Sequence, residues 1–327
     1  MQKIFNRIEF LNKKIYEYSQ IVHAKPEVYI IEAAEDIYNI PSPNDSRWRK
    51  FGEDELWGRT PNCHCWFWVK NCGVKYGKGM PALSVSTGTT DDDWNASNPQ
   101  FIAYINGEAV QALDANHREI FLMGREDADI YLSAYNSLLF SSNNTTKISF
   151  LEYDVASLDL YYAVFVLLNI LTYTEAKSKQ FAITLKKLNE IVGRIDFTLA
   201  RTEEYYQQIR IANEKVQNEL LPLLEDEFNP TAYAVGSSHL DVAFWWTVNQ
   251  TKEKAQRTVA TALEYMRLFP EYKFFASQAV LYKYVKEGNP ALFEKIQKRV
   301  AEGRWNTTWR LTEIPTIRNR RCNCLIQ

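Results

Sequence analysis

The stretch AYAVGSSHLDVAFWW, Ala232 to Trp246, decides how the second half of this 327-residue chain is read. Ala232 to Gly236 is a short apolar run ending in glycine and predicts a strand, with Ser237 to Asp241 following as a loop. His239 and Asp241 flank a single residue, so in an extended loop both side chains point the same way. An imidazole nitrogen and a carboxylate oxygen are a common ligand pair for zinc-like divalent ions. An ion held there binds and polarises sugar hydroxyls. Phe244, Trp245 and Trp246 follow directly, and aromatic faces beside an ion suit a sugar ring. An H-x-D triplet also arises by chance, and a lone histidine is more often a surface or satisfied core residue. By itself the triplet leaves both readings open.

Downstream, Thr251 to Phe269 predicts a helix with Ala255, Val259, Leu263 and Met266 on one face, closed by Pro270. Tyr272 to Gln278 reads as a strand. Asn289-Pro290 then opens a second helix, with asparagine as N-cap and proline at the first helical position. Leu292, Phe293, Ile296 and Val300 form its apolar face, Gly303 ends it, and Arg304 to Thr308 begins a third strand. Strand, helix, strand, helix, strand implies a parallel sheet, whose C-terminal strand ends are where α/β barrels keep their chemistry.

Upstream the patterns differ. Residues 2–21 carry Ile4, Ile8, Leu11 and Ile15 at helical spacing, and residues 38–62 read as connection because of Pro41, Pro43, Gly52 and Pro61. From Cys63 to Tyr153 short β-prone runs follow one another: CHCWFWVK, ALSVSTG, FIAYI, EAVQAL, IFLMG and DIYLSAY. Asn106-Gly107 between two of them is a strong hairpin signal. Residues 155–222 return to helical periodicity, with LDLYYAVFVLLNIL read as a buried helix. The expected fold class is multidomain α+β. It comprises an amino-terminal helix and connection (1–62), a β-sandwich (63–153), a helical connection (154–229) and the start of an incomplete α/β barrel (230–327).

Charge is nearly balanced, 38 Lys+Arg against 40 Asp+Glu, which gives no electrostatic case for nucleic acid or an anionic membrane. The longest apolar stretch, Tyr161 to Leu168, falls far short of the ~20 residues of a membrane span. The amino terminus lacks the continuous apolar core of a signal peptide. Cys63, Cys65, Cys72, Cys322 and Cys324 are odd in number, which favours a reducing cytoplasm. Cys63 and Cys65 around His64 suggest zinc, but the paired C-x-x-C arms of a structural site are missing.

Together AVGSSHLDVAFWW, TKEKAQRTVATALEYMRLFPEYKFFASQ and LYKYVKEGNPALFEKIQKRVAEGRW resemble the opening of the catalytic domain of glycoside hydrolase family 38 α-mannosidases. That family has an H-x-D metal motif after its first barrel strand, an aromatic cluster, an Arg-containing helix, a P-E-Y-x-F strand and an E-G-R-W turn. DDDWNASNPQFIAYINGEAVQALDANHREIFL is similar to the β-domain that precedes it in the cytoplasmic, vacuolar and bacterial members.

The resemblance implies Zn2+ or another divalent ion on His239 and Asp241, and retaining hydrolysis of terminal α-mannosides from oligosaccharides. It makes Phe244 the sugar-stacking residue where the family usually has tryptophan, with Trp246 as a second substrate-binding candidate. Ser237 and Thr247 replace the family's usual residues at their positions. Arg257 matches the family's helix arginine and is expected to be structural, and His117 is expected to be a structural hydrogen-bonding histidine or part of the pocket's rim. The family's acidic segment meets WRLTEIPTIRNRRCNCLIQ here. Glu313 is a candidate for its glutamate, while Pro315 stands where the nucleophilic aspartate is expected. An interrupted reading frame, little turnover, and oligomers formed through missing domains are the corresponding expectations. The alternatives are a non-catalytic carbohydrate-binding remnant and an unrelated metal hydrolase.

Overall fold

The computed structural model describes residues 1–34, 38–86, 99–136, 144–176, 178–224 and 232–307. Among these residues ten strands build two antiparallel sheets. They are β1 (Gln20–Ala24), β2 (Val28–Ile31), β3 (Arg49–Phe51), β4 (Cys63–Val69), β5 (Met80–Ser86), β6 (Gln100–Ile105), β7 (Glu108–Leu113), β8 (Glu119–Phe121), β9 (Ile130–Asn136) and β10 (Lys147–Tyr153). Six pair in the order β3-β2-β4-β9-β6-β7 and four in the order β1-β10-β5-β8. The Asn106-Gly107 hairpin joins β6 to β7, with φ of +53° and +81°, as a turn matched to strand twist requires.

The two sheets share one core. Cys65, Phe67, Val69, Phe101, Ile130 and Leu132 of the larger meet Leu83, Val85, Ile120, Ile148 and Phe150 of the smaller. Residues between them in sequence, Trp66, Ile102 and Tyr104, point to the opposite face and enter a second core. The larger sheet is therefore buried on both sides, which is why CHCWFWV is apolar at nearly every position instead of alternating.

That second core is supplied by the C-terminal segment. Strands β11 (Gly236–Ser237), β12 (Phe274–Phe275) and β13 (Trp305–Asn306) run parallel in that order. Among the seven α-helices of the described residues, α5 (Val248–Leu268) makes the first crossover, and α6 (Ala279–Gly288) and α7 (Pro290–Ala301) make the second. Asn289 caps α7 through the Leu292 amide, with Pro290 in its first turn, and Gly303 at φ +72° turns the chain into β13. Ala255, Val259, Leu263 and Met266 of α5 pack with Trp66, Ile102, Tyr104 and Phe274.

The remaining helices, α1 (Gln2–Ser19), α2 (Val155–Tyr173), α3 (Lys179–Val192) and α4 (Glu203–Lys215), form a bundle around Ile8, Ile15, Leu160, Val164, Leu188, Tyr205 and Ile209. Side chains of Asp154, Ser178 and Thr202 cap α2, α3 and α4.

Four expectations need correction. Residues 1–62 are more than a helix and a connection: they give β1–β3 to the two sheets and α1 to a bundle formed mostly by helices after residue 154. Only long-range pairing shows this. The strand expected over Ala232 to Gly236 is the pair Gly236–Ser237; Tyr233 and Val235 are exposed. Helix α2 is not buried all round: Leu160, Val164 and Leu167 face the bundle while Tyr162, Phe165, Val166 and Ile170 are exposed. Its 19 residues are also long and apolar enough to cross a membrane by length and composition alone, although its buried stripe is committed to the bundle.

Helix α5 is tied to the sandwich by charge as well as by apolar packing. Glu264, 3 % exposed, takes Arg267 at 2.7 Å and Arg125 of the sandwich at 3.2 Å. Arg267 also donates to the carbonyls of Phe121 and Met123. Removing one member of a buried ion pair strands the rest without compensation. Glu264→Ala is expected to cost about 3–5 kcal/mol, read as a lowered urea midpoint. Lys186→Ala, which breaks the exposed Lys186–Glu190 pair, should leave the midpoint unmoved.

Candidate functional site

The loop from Ser238 to Thr247 joins β11 to α5 and is pinned at three places. The Leu240 side chain is buried in the second core, and its carbonyl accepts from Gln278 Nε2 at 3.0 Å. The Thr251 hydroxyl accepts from the Ala243 amide and from Trp246 Nε1, each at 3.1 Å. Thr247 caps α5 through the Gln250 amide. Ala243 has φ +61°, a left-handed conformation that costs an L-residue roughly 1 kcal/mol. Thr251 holds that turn in place.

With Leu240 turned inward, its neighbours turn outward. His239 Nε2 lies 3.0 Å from Asp241 Oδ1, with the two side chains 85 % and 48 % exposed. The loop thus brings an imidazole and a carboxylate together on the surface directly after a parallel strand. Their chemistry fits two positions around a divalent ion and no more. Among the described residues no group of three or more His, Cys, Asp or Glu is placed to hold a metal, and zinc usually takes at least three protein ligands. Glu313 and Pro315 lie outside the described residues.

The aromatic residues divide. Phe244 and Trp245 are 66 % and 62 % exposed, with rings 5.7 Å apart and edge to face. Trp246 is turned toward the protein, its ring 4.2 Å below Lys254 Nζ and packed against the second core. Trp245, which the sequence reading did not single out, is the accessible neighbour of Phe244. Three adjacent aromatic residues carry no signal of which one turns in.

The other sequence candidates fall elsewhere. Cys65 faces the sandwich core, while His64 faces the other side of the strand and bonds Glu253 at 3.0 Å, so Cys63, His64 and Cys65 do not converge. His117 Nδ1 pairs with Asp114 Oδ1 at 3.0 Å, and that oxygen also accepts the amides of Asn116 and His117. The hydrogen bond to Asp114 holds the His117 pKa above its ordinary value, against the opposing effect of burial. Arg257 is buried and donates to Gln100 Oε1 at 2.5 Å.

Gly236 sets the start of the loop. A Cβ there would overlap Tyr272 Oη and lie 2.7 Å from Cζ. Gly236→Ala should therefore displace Tyr272 and cost about 1–3 kcal/mol, as overpacking usually does. In a Tyr272→Ala background the same change should be nearly neutral. A double-mutant cycle in urea checks the coupling.

Residues 229–314 match the family described as glycosyl hydrolases family 38 N-terminal domain. Over 120 residues the chain is 32 % identical to alpha-mannosidase G of Dictyostelium discoideum, which covers 37 % of this chain and 10 % of that protein. It is 36 % identical over 72 residues to alpha-mannosidase of Saccharomyces cerevisiae, covering 22 % of this chain and 7 % of that one. With alpha-mannosidase 2C1 of Homo sapiens it shares 35 % over 79 residues, covering 24 % and 8 %. The matches thus span a tenth or less of these relatives. A solved structure described as CBM51-2 in complex with GlcNAc and INT domains from Clostridium perfringens ZmpB aligns over 62 % of this chain and 43 % of that one. Its TM-score of 0.20 and 11 % identity are too low to carry an argument. The segment that holds the His239–Asp241 loop and the parallel sheet is thus the part of the chain that is similar to the N-terminal domain of glycosyl hydrolases family 38.

Proposed function

We propose that this chain is part of a metal-dependent α-mannosidase that hydrolyses terminal α-mannosides of oligosaccharides with retention. In this reading His239 and Asp241 give two of the ligands to a divalent ion, zinc by the nature of the donors. The observation that carries the reading is their convergence at 3.0 Å on an exposed, pinned loop at the C-terminal end of a parallel strand. The three parallel strands and their helical crossovers support residues 232–307 as the opening of an α/β barrel.

When bound, such an ion polarises sugar hydroxyls. The chain's own residues do the rest of what can be derived. Leu240, Gln278 and Thr251 hold the two ligands in register. Phe244 and Trp245 offer apolar faces to a sugar ring beside them. Retaining hydrolysis needs two carboxylates about 5 Å apart, one as nucleophile and one as acid and then base. Asp241 is committed to the ion, and Glu313 is the remaining candidate carboxylate. The exposure of Phe244 and Trp245 favours one alternative, carbohydrate binding without turnover.

Zinc titration by calorimetry should give weak, one-to-one binding. Either His239→Ala or Asp241→Ala should weaken it by more than the roughly 10–100-fold that outer-shell partners carry. Tight binding that survives His239→Ala would sink the assignment. Hydrolysis of an aryl α-mannoside by the same chain should be negligible with or without zinc. Robust turnover abolished by Asp241→Ala would instead put a working carboxylate, such as Glu313, in residues 308–327.

A further inference from the structure

Behind the loop, between the sandwich and α5, lies a cleft of about 330 Å3. Lys254, Arg257, His117, Asp114, Ser237 and Ser238 are among its lining residues. Pairing its charges one by one leaves a remainder. The Asp114 carboxylate is matched by His117 and two backbone amides. The Glu253 carboxylate accepts from Gln250 at 2.8 Å, lies 3.0 Å from His64, and faces Arg257 Nη1 at 3.7 Å. Arg257, 7 % exposed, also donates to Gln100 Oε1. Among the described residues Lys254 has only that same amide oxygen, at 2.9 Å, and the Trp246 ring. Among the described residues it makes no salt bridge.

A half-buried ammonium with no carboxylate partner among the described residues, sharing its one neutral acceptor with a buried guanidinium, is an unfavourable arrangement in the absence of an anion. An oxyanion in the cleft relieves it, because both cations donate hydrogen bonds and the water they would need is already excluded. We propose that the cleft is a binding site for a small, doubly charged oxyanion of the phosphate class, held by Lys254 and Arg257 and flanked by Ser237 and Ser238. Its volume exceeds that of a free ion and leaves room for a phosphate ester of sugar size. The site does not depend on a metal at His239 and Asp241.

The groups facing Lys254 set how binding responds to pH. They are Glu253 and Arg257 on its own helix, Gln100, Asp114 and His117 from the sandwich, and the Trp246 ring from the loop. Burial, and then Arg257, push the Lys254 amine down to about 7. A bound dianion favours the protonated form, so binding takes up a proton above that value and weakens as pH rises. Tyr265 and Tyr272, also in the lining, are held above their ordinary values and stay neutral throughout.

The test is a calorimetric titration of the whole chain with sulfate, which stays a dianion throughout, at constant ionic strength in chloride. One-to-one binding is expected, weakening by roughly tenfold per pH unit above about 7. Lys254→Met should abolish it, whereas Lys254→Arg should keep it and flatten most of the pH dependence. Sulfate should also protect Lys254 of the unmodified chain from reductive methylation, a readout that needs no variant. Titrating a hexose 6-phosphate beside inorganic phosphate distinguishes an ester from the free ion as occupant. Sulfate binding no tighter than chloride, or binding untouched by Lys254→Met, overturns the proposal.

Discussion

Helix α5 has two surfaces to satisfy at once. One lies on the outer face of the six-stranded sheet and the other on the parallel strands β11–β13 and the helices between them. Each large aliphatic side chain that leaves water here contributes about 1.5–3 kcal/mol, and Val259, Leu263 and Met266 all do so. Because α5 is shared, the parallel sheet and the sandwich are not independent. The loop that carries His239 and Asp241 is fixed at one end by β11 and at the other by the first turn of α5, so its geometry follows from that shared helix.

The same constraint explains the unusual polarity of α5. Gln256, Arg257 and Glu264 are buried in a helix whose neighbours are apolar. Glu264 is satisfied by Arg125 and Arg267, and Arg257 by Gln100 and Glu253. Buried ionic groups of this kind add little net stability and penalise any docking that leaves them unpaired. They therefore fix the register of α5 on the sheet. The Ala112 amide, which donates to Thr261 Oγ1 at 3.0 Å, adds a directional bond across the same interface.

Much of this was legible in the sequence where local chemistry decides the outcome. Asn106-Gly107 gave its hairpin, Asn289-Pro290 its capped helix, and the stripe Ala255, Val259, Leu263, Met266 its buried face. The convergence of His239 and Asp241 followed from a spacing of two with a buried leucine between them. What was not legible depends on partners distant in the chain. Nothing in QIVHA or VYII says that these runs pair with β10 and β4, and nothing in α1 names α2 as its neighbour. The two-sided burial of β4 was not legible either, because the second layer over it, α5, comes only at Val248 in the chain. Lys254 sits in an ordinary-looking K-E-K run, and only its tertiary surroundings set it apart.

Helix α5 joins the sandwich and the parallel sheet into one cooperative unit that holds the His239–Asp241 loop. Native-state hydrogen exchange measures this directly, because amides that open only in global unfolding share its free energy. The α5 amides from Val259 to Leu263 should then exchange with the same opening free energy, and the same denaturant dependence, as those of the central strands β4 and β9. Exchange of the α5 amides many-fold faster than the strands, with little denaturant dependence, would mean that the helix opens alone and that the loop is not held by the sandwich.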